Sequence, residues 1–254
     1  MRMVIIGSGN VATVLSQQFK EAGHQILQVF SRQQGHAGQL AEILQCAYTS
    51  RREELDKNAE VYLVALSDDA LKGLSKELTL PGKLVLHTAG AVPKEVLLDV
   101  SVNSGVLYPL QSLRKELKPY PAIPLLTDAN QGADRQRITE LARSISHQVS
   151  EADNNMRLKL HLAAVLVNNF TNHLYVLADT YCRKEGADFS LLLPLIRETA
   201  ERLSRVAPED AQTGPAIRSD EATLARHLEL IDNYKDIKEV YTLMTQQIRQ
   251  GAGR

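Results

Sequence analysis

The sequence has little cysteine, almost no net charge and no long apolar run, and each shortage excludes a class of protein. Its 254 residues include two cysteines, and 29 Lys plus Arg stand against 30 Asp plus Glu. A general nucleic-acid binder needs a basic excess to displace counterions, and a protein that binds membrane surfaces through basic clusters needs the same. We therefore expect neither a nucleic acid nor a membrane as partner.

The cysteines, Cys46 and Cys182, lie far apart and form no spacing pattern. This argues against a disulfide framework and a zinc site, and it predicts two reduced thiols packed in the interior. No signal-peptide pattern precedes the first apolar run, and the longest runs are far shorter than the ~20 residues that span a bilayer. The sequence thus predicts a cytoplasmic protein without a metal site.

Short apolar runs alternate with amphipathic stretches in residues 1–150, whereas helical periodicity alone follows. Runs that are apolar on both faces and separated by helices are typical of a parallel sheet covered on both sides. We predict an α/β fold, in which a Rossmann-type, doubly wound, mostly parallel sheet in residues 1–150 precedes an all-helical domain in residues 151–254. Predicted strands cover residues 4–6, 25–30, 61–66, 84–86 and 105–108. Predicted helices cover residues 10–22, 37–44, 69–78, 154–184, 188–206, 220–231 and 234–249, with a short one opened by a capping box at 50–53.

A glycine-rich segment connects the first predicted strand to the first predicted helix. The first glycine permits a sharp turn, the second lets the backbone approach a pyrophosphate, and the small alanine lets helix and strand pack closely. The free N–H groups of the helix then receive the phosphates. An ordinary tight turn is the alternative. The segment reads Gly7-Ser8-Gly9-Asn10-Val11-Ala12.

The end of the second predicted strand favours NADP(H) over NAD(H) as cofactor. NAD-binding units usually place an Asp or Glu there to hold the ribose hydroxyls. Here Ser31 and Arg32 follow the strand, and a hydroxyl beside a guanidinium suits a 2′-phosphate. The alternative is that Arg32 is a solvated surface residue.

Several segments in this order resemble one bacterial family of oxidoreductases, which has a Rossmann-like domain and a helical C-terminal domain of unknown function (DUF2520). The resemblance covers essentially the whole chain and extends, more distantly, to pyrroline-5-carboxylate reductase and the F420-dependent NADP oxidoreductases. It implies NADP-linked hydride transfer and dimers built on the helical domain. The segments that carry it are 7–12, 31–32, 66–70, 87–90, 108–112, 161–170 and 213–220.

The chain departs from the hydroxyacid dehydrogenases of this broad superfamily at one point. Those enzymes carry a Lys-x-x-Asn pair on the first helix after the nucleotide domain, but here Lys159 is followed by Leu162 three residues later. This departure argues against a simple hydroxyacid dehydrogenase mechanism.

Further candidate residues follow the predicted strands, because ligands of an open parallel sheet bind outside the carboxyl ends of its strands. His87 is either a hydrogen-bond partner of cofactor or substrate, or a structural histidine bonded to backbone. Gln111 and Ser112 are predicted to bind substrate, unless their segment is only a core strand ending in a turn. The remaining predicted cofactor contacts are Leu66, Ser67, Thr88, Ala89 and Gly90.

The long helix after residue 154 carries His161, Asn169 and Asn172, which are costly on an apolar helix unless they are paired or face a cleft. We expect His161 and Asn169 to act in catalysis and Asn172 to bind substrate, since a histidine can donate a proton near neutral pH. Interhelical or dimer-interface hydrogen bonding is the alternative. In the loop before the next-to-last helix, Arg218 is a candidate clamp for a substrate carboxylate, and Asp220 is the predicted N-cap.

These features predict an NADP(H)-dependent oxidoreductase that moves hydride to or from a small carbonyl or imine in a cleft between the domains. A non-catalytic NADP(H)-binding sensor is the alternative. Because the long helix is apolar on several faces, we also expect a homodimer formed through the helical domain.

Overall fold

The computed structural model describes residues 1–251, and its amino-terminal part is an eight-stranded sheet. The strands are β1 (Arg2–Ile6), β2 (Gln25–Phe30), β3 (Ala47–Thr49), β4 (Val61–Val64), β5 (Leu84–His87), β6 (Ser104–Pro109), β7 (Leu125–Ala129) and β8 (Val149–Glu151). Their order is β3-β2-β1-β4-β5-β6-β7-β8. Every neighbouring pair is parallel except β6 with β7, which is antiparallel. The predicted α/β class and mostly parallel sheet are confirmed.

Helices cover both faces of the sheet, because strands such as β1 and β4 are apolar at consecutive positions. On one face Phe19 and Ile138 belong to a core that includes Met3 and Ile5 of β1. On the other face Leu71 and Leu97 belong to a core that includes the alternate positions of the same strands. The helices of this part are α1 (Asn10–Glu21), α2 (Gln34–Leu44), α3 (Asp68–Lys72) and α4 (Gly132–Arg143), with 3-10 turns at Arg52–Glu54, Leu74–Lys76 and Lys94–Leu97.

Some short elements were not predicted. Strands β3, β7 and β8 have three or five residues each, too few for a clear periodicity, and α4 lies between β7 and β8. The predicted capping box at 50–53 is wrong. The turn at Arg52–Glu54 has no side-chain cap, and it is Thr49 that bonds to this segment: its Oγ1 accepts from the Arg51 N–H at 3.0 Å and donates to Glu54 Oε2 at 2.6 Å.

Helical backbone then runs from Asn154 to Glu185, but one segment is wound differently. It consists of α5 (Asn154–Ala164), a π-helical segment at Val165–Phe170, and α6 (Thr171–Glu185). Side-chain capping by Asp153, which accepts from the Met156 N–H at 2.7 Å, starts α5. The later helices are α7 (Leu193–Arg202), preceded by a 3-10 turn at Phe189–Leu192, α8 (Glu221–Leu230) and α9 (Lys235–Gly251).

The chain packs as two compact units, the first Met1–Phe170 and the second beginning at Thr171. The change from strands to helices comes earlier, between Glu151 and Asn154. The first unit therefore holds the sheet together with α5 and the π-helical segment. The last three positions of the predicted 151–254 domain lie outside the described residues. Among residues 1–251, every helix falls short of the length and apolar character needed to cross a membrane.

Candidate active site

The glycine-rich segment lies where the strand order of the sheet reverses. From β1 the chain proceeds to β2 and β3 on one side and to β4 and β5 on the other, so the ends of β1 and β4 flank a crevice. Gly7 has a φ of +120°, and a Cβ on it would lie 2.2 Å from the Ala65 carbonyl oxygen. Only glycine fits here, because both the backbone angle and the neighbouring strand end exclude a side chain.

Gly9 differs from Gly7, since a Cβ on it would meet nothing within 4 Å. It is the N-cap of α1 and makes no side-chain cap, so the first N–H groups of α1 stay open to a ligand. Ala12 is completely buried, as close packing of helix and strand requires. These residues fit a dinucleotide pyrophosphate, because the open space lies next to a helix N-terminus.

A hydrogen bond links this segment to the end of β2. Ser8 Oγ donates to Ser31 Oγ at 2.9 Å, which leaves the Ser31 proton available to an acceptor. Arg32 is exposed and makes no hydrogen bond or ion pair with any residue in 1–251. A hydroxyl donor beside an unpaired guanidinium fits a phosphate at the ribose 2′ position.

The other predicted cofactor residues lie at the ends of β4 and β5. Leu66 is half-buried, and Ser67 is exposed at the start of α3. Thr88 and Ala89 are each 8% exposed, and the Thr88 N–H donates to the Val64 carbonyl at 3.2 Å. These small residues follow β5 without blocking the edge of the sheet.

His87 is completely buried at the end of β5, and its Nδ1 accepts from the Ala89 N–H at 3.2 Å. Burial, and then the charge of Arg157, lowers the pKa of His87 to about 3. The ring is therefore neutral at physiological pH, and its environment favours the structural alternative over contact with a ligand.

His161 of α5 contacts Tyr108 at the end of β6. Tyr108 Oη and His161 Nδ1 are 2.9 Å apart, and the two rings meet edge to face. Burial raises the pKa of Tyr108, so its phenol keeps its proton at neutral pH. Gly90 lies against both rings, since a Cβ on it would be 2.8 Å from His161 Nδ1 and 2.9 Å from Tyr108 Cζ.

A cavity of about 550 Å³ opens beside this pair. Its volume suits a small molecule, and its lining is mostly apolar with a few polar groups, as ligand pockets usually are. No Lys, Arg, Asp or Glu is among the residues that line it. They are Tyr108, Leu110, Gln111, Ser112, Leu160, His161, Ala163, Ala164, Val165, Val167, Asn168 and Asn169.

The π-helical segment brings two amides to this cavity. A π-helical turn is wider than an α-helical one, so the adjacent residues Asn168 and Asn169 both line the cavity that His161 lines. Both asparagines are exposed. Single π-helical turns occur frequently at functional sites, and here the turn supplies neutral hydrogen-bonding groups.

The remaining predicted site residues lie in the second unit. Asn172 is exposed on α6, and Arg218 is exposed in the loop before α8. Neither side chain makes a hydrogen bond with another described residue. Asp220 is the N-cap of α8, as predicted, and accepts from the Thr223 N–H at 3.1 Å.

The sequence does not single out two residues that lie at this candidate site. Tyr108 was considered only as part of a segment, although it binds His161 across 53 positions of sequence. Arg157 is 1% exposed, yet it stands in a stretch, Arg157-Leu-Lys-Leu-His161, that gives little sign of which face is buried. The sequence does show that Arg157 is four residues from His161, which places both on one face of the helix. Within residues 1–251, no three His, Cys, Asp or Glu side chains are grouped so as to hold a metal ion.

Comparison with known proteins agrees with this geometry. The model of the family described as "NADP oxidoreductase coenzyme F420-dependent" matches residues 2–90, and that of "Domain of unknown function (DUF2520)" matches residues 123–248. A "putative NADP oxidoreductase" from Bacteroides fragilis has a known structure with a TM-score of 0.91, 36% identity and coverage of 98% of either chain. No curated protein matches the sequence.

Two more distant structures share the fold. A protein from Thermotoga maritima is 21% identical with a TM-score of 0.81, over 99% of this chain and 100% of that one. An imine reductase from Myxococcus stipitatus, in complex with NADP+, is 16% identical with a TM-score of 0.71, over 100% of this chain and 94% of that one. Because the Bacteroides fragilis protein is similar in sequence over its whole length, and both family models match, the chain belongs to the NADP oxidoreductase family with a DUF2520 C-terminal domain.

Proposed function

We propose that this oxidoreductase reduces a small, neutral imine or carbonyl compound with NADPH, and that Tyr108 and His161 supply the proton. The observation that carries the proposal is the 2.9 Å hydrogen bond between Tyr108 Oη and His161 Nδ1 at the edge of a cavity of about 550 Å³. Reduction of a C=N or C=O bond needs one hydride and one proton, and this pair is the proton donor nearest the cavity.

The residues that would hold the cofactor are those of the glycine-rich segment, with Ser31 and Arg32 at the 2′-phosphate. NADPH, when bound, supplies a hydride to the substrate carbon. The residues of this chain bind the cofactor and shape the cavity. The helix N-terminus at Gly9 receives the pyrophosphate, and the apolar residues of the cavity exclude water.

The proton transfer follows from the tautomer of His161. We assign the Tyr108 hydroxyl as the donor to Nδ1, which places the ring proton of His161 on Nε2, the nitrogen that no described residue binds. Nε2 gives this proton to the substrate nitrogen or oxygen as the π bond to carbon breaks. The Tyr108 proton then moves to Nδ1, and water returns a proton to the pair.

The lining of the cavity bears on the substrate. Gln111, Ser112, Asn168 and Asn169 offer neutral donors and acceptors, whereas no side chain with a full charge lines it. A neutral compound therefore fits this cavity better than a carboxylate. Gln111 and Ser112 stay predicted substrate contacts, and Asn169 stays a predicted catalytic residue. A neutral substrate has no carboxylate for Arg218 to bind, so this proposal gives no role to Arg218 or Asn172.

A panel of small ketones and cyclic imines tests the proposal, with loss of NADPH absorbance as the readout. For any compound that is reduced, we expect Tyr108→Phe and His161→Ala to lower kcat by about 100-fold or more while NADPH affinity stays the same. His147→Ala and Tyr48→Phe, on exposed side chains elsewhere, are the matched controls and should behave as wild type.

Two outcomes would contradict the proposal. Full activity in His161→Ala would exclude this histidine as proton donor. Tight NADPH binding without reduction of any compound on the panel would instead support a non-catalytic NADP(H) sensor.

We further propose that the chain forms a homodimer through its helical part. The second unit leaves large apolar side chains in solvent, and three of them, Leu191, Leu195 and Leu230, are 76%, 60% and 61% exposed. It also contains an apolar cavity of about 360 Å³, lined by residues such as Leu177 and Met244. Such surface is costly in water and is typical of an interface.

Sedimentation tests the dimer. Wild type should sediment as a dimer at micromolar concentration, and a Leu191→Asp, Leu195→Asp double variant should shift toward monomer. Val102→Asp, which charges a side chain that is 57% exposed in the first unit, is the control and should remain dimeric. A wild-type monomer would overturn this part of the proposal.

A further inference from the structure

Arg157 is buried with part of its guanidinium unsatisfied. The residue is 1% exposed, and its Nη2 donates to the Val92 carbonyl at 2.6 Å and to Asn154 Oδ1 at 2.9 Å. Its Nε and Nη1 are also buried but have no protein partner. A buried charge without full hydrogen bonding is expensive, so its presence calls for a compensating role.

The acidic residues around Arg157 bind other groups, although Asp128 Oδ2 is buried without a hydrogen-bond partner. Asp128, Glu95 and Asp153 are the carboxylates whose charge reaches it, but Arg157 forms an ion pair with no residue in 1–251. The nearby His87 is neutral because its pKa lies at about 3. The positive charge of Arg157 is therefore without a contact counter-ion. Asp128 Oδ1 accepts from Lys94 Nζ at 2.9 Å and from the Ala129 N–H at 2.8 Å. Glu95 accepts from Asn154 Nδ2 at 2.7 Å, and Asp153 accepts from the Met156 N–H at 2.7 Å.

This charge lies beside the Tyr108–His161 pair. Arg157 and His161 are four residues apart on α5 and so share one face of the helix. The strand-end segment that holds Arg157 through the Val92 carbonyl also packs Gly90 against both rings of the pair. Burial raises the pKa of Tyr108, and the Arg157 guanidinium acts in the opposite direction.

We propose that Arg157 is a positioning residue whose buried charge, which forms no ion pair in residues 1–251, stabilises the Tyr108–His161 pair in the state that has given up its proton. The inference rests on the proposed function, in which this pair is the proton donor. When His161 Nε2 has lost its proton and the Tyr108 proton has moved to Nδ1, the negative charge is left on Tyr108 Oη. A buried phenolate needs a nearby cation, and the guanidinium provides one without touching the substrate.

The titration of Tyr108 tests this inference without any substrate. Fluorine NMR of protein made with 3-fluorotyrosine reports each tyrosine, and the Tyr108 signal is the one that disappears in Tyr108→Phe. In Arg157→Met this signal should titrate at higher pH than in wild type, and in Arg157→Lys it should remain closer to wild type. Lys159→Met removes the same charge from an exposed position on the same helix and should leave the titration unchanged.

A second measurement uses the wild-type protein, in case Arg157→Met does not fold. The nitrogen resonance of Arg157 Nε should shift as Tyr108 loses its proton, and this shift should be absent in Tyr108→Phe. For a reduced substrate, Arg157→Met should lower kcat by about tenfold with little change in KM, and Arg157→Lys should restore most of it.

The outcomes separate this inference from the proposed function. If Tyr108 titrates identically in folded Arg157→Met and Lys159→Met, or if the Arg157 resonance ignores Tyr108, Arg157 is only structural. If both titration results are as expected but no compound is reduced, the charge coupling stands while the reductase proposal fails.

Discussion

A Cβ placed on Gly90 would lie 2.8 Å from His161 Nδ1, closer than real Cβ atoms come to a ring nitrogen. The same Cβ would lie 2.9 Å from Tyr108 Cζ, so the backbone at Gly90 presses on both partners of one hydrogen bond. The geometry of the proposed proton donor thus depends on a residue that contributes no side chain.

Gly90→Ala should separate Tyr108 from His161. The added methyl group forces one ring to move, which costs about 1–3 kcal/mol in a packed region and misaligns the proton donor. We expect kcat to fall by about tenfold or more and the free energy of unfolding to fall by that amount, measured by steady-state kinetics and urea denaturation. Gly35→Ala is the control, because its Cβ would meet nothing within 4 Å. Wild-type kcat in Gly90→Ala would contradict the role of the pair.

Gly7 and Gly9 should fail in different ways when each is replaced by alanine. Gly7→Ala strains a φ of +120° and places a Cβ 2.2 Å from the Ala65 carbonyl, so we expect a loss of stability of about 2 kcal/mol or more. Gly9→Ala meets no protein atom, so its melting temperature should stay unchanged.

Gly9→Ala, which should leave stability unchanged, should instead weaken NADPH binding. NADPH affinity of Gly9→Ala, measured by calorimetry, should fall at least about tenfold, equivalent to about 1.4 kcal/mol, because the methyl group occupies space meant for the pyrophosphate. Unchanged affinity would show that the phosphates bind elsewhere.

These two glycines also show what local sequence can predict. The segment from Gly7 to Ala12 was recognisable because the turn, the helix start and the phosphate site all lie within six consecutive residues. Ser31 could be predicted as a cofactor contact for a similar reason, since neighbouring parallel strands end at the same edge of the sheet, but its bond to Ser8 is seen only in the structure.

His161 could be predicted from the sequence, but its hydrogen bond to Tyr108 could not. Tyr108 and His161 are 53 residues apart, and only the packing of α5 beside β6 shows that they touch. The burial of Arg157 and the π-helical turn at Asn168 depend on tertiary contacts as well, and a helical periodicity carries no sign of either. Spacing thus predicted the cofactor segment and His161, while the contact between His161 and Tyr108 required the structure.

Arg32→Ala should weaken NADPH binding but not NADH binding. The guanidinium makes no contact within the described chain, so its removal costs no stability and affects only a ligand that carries a 2′-phosphate. A lost charge-assisted hydrogen bond of about 1.5–3 kcal/mol predicts about a 10- to 100-fold rise in the Kd of NADPH. Titration of both cofactors by fluorescence checks this, with the exposed Arg143→Ala as control. Equal affinity of the wild type for NADPH and NADH would show that Arg32 does not bind a 2′-phosphate.

The buried His87 should make the protein lose stability in acid. Its folded-state pKa of about 3 lies below the unfolded value near 6.5, so between these two pH values His87 is protonated in the unfolded chain but neutral in the folded one. The contribution is fully present above pH 6.5 and is lost progressively as the pH falls from there toward 3. His24, whose pKa is also lowered, mainly by burial, acts in the same direction.

Between pH 7 and pH 5 this single site should cost about 2 kcal/mol of unfolding free energy. His87→Asn keeps an oxygen acceptor for the Ala89 N–H but cannot be protonated, so its unfolding free energy should fall by about 2 kcal/mol less than that of wild type over the same interval. Urea denaturation at the two pH values measures the difference, and His36→Gln, which alters an exposed ring, should keep the wild-type slope. If the unfolding free energies of wild type and His87→Asn changed equally with pH, the pKa of His87 in the folded protein would not be lowered.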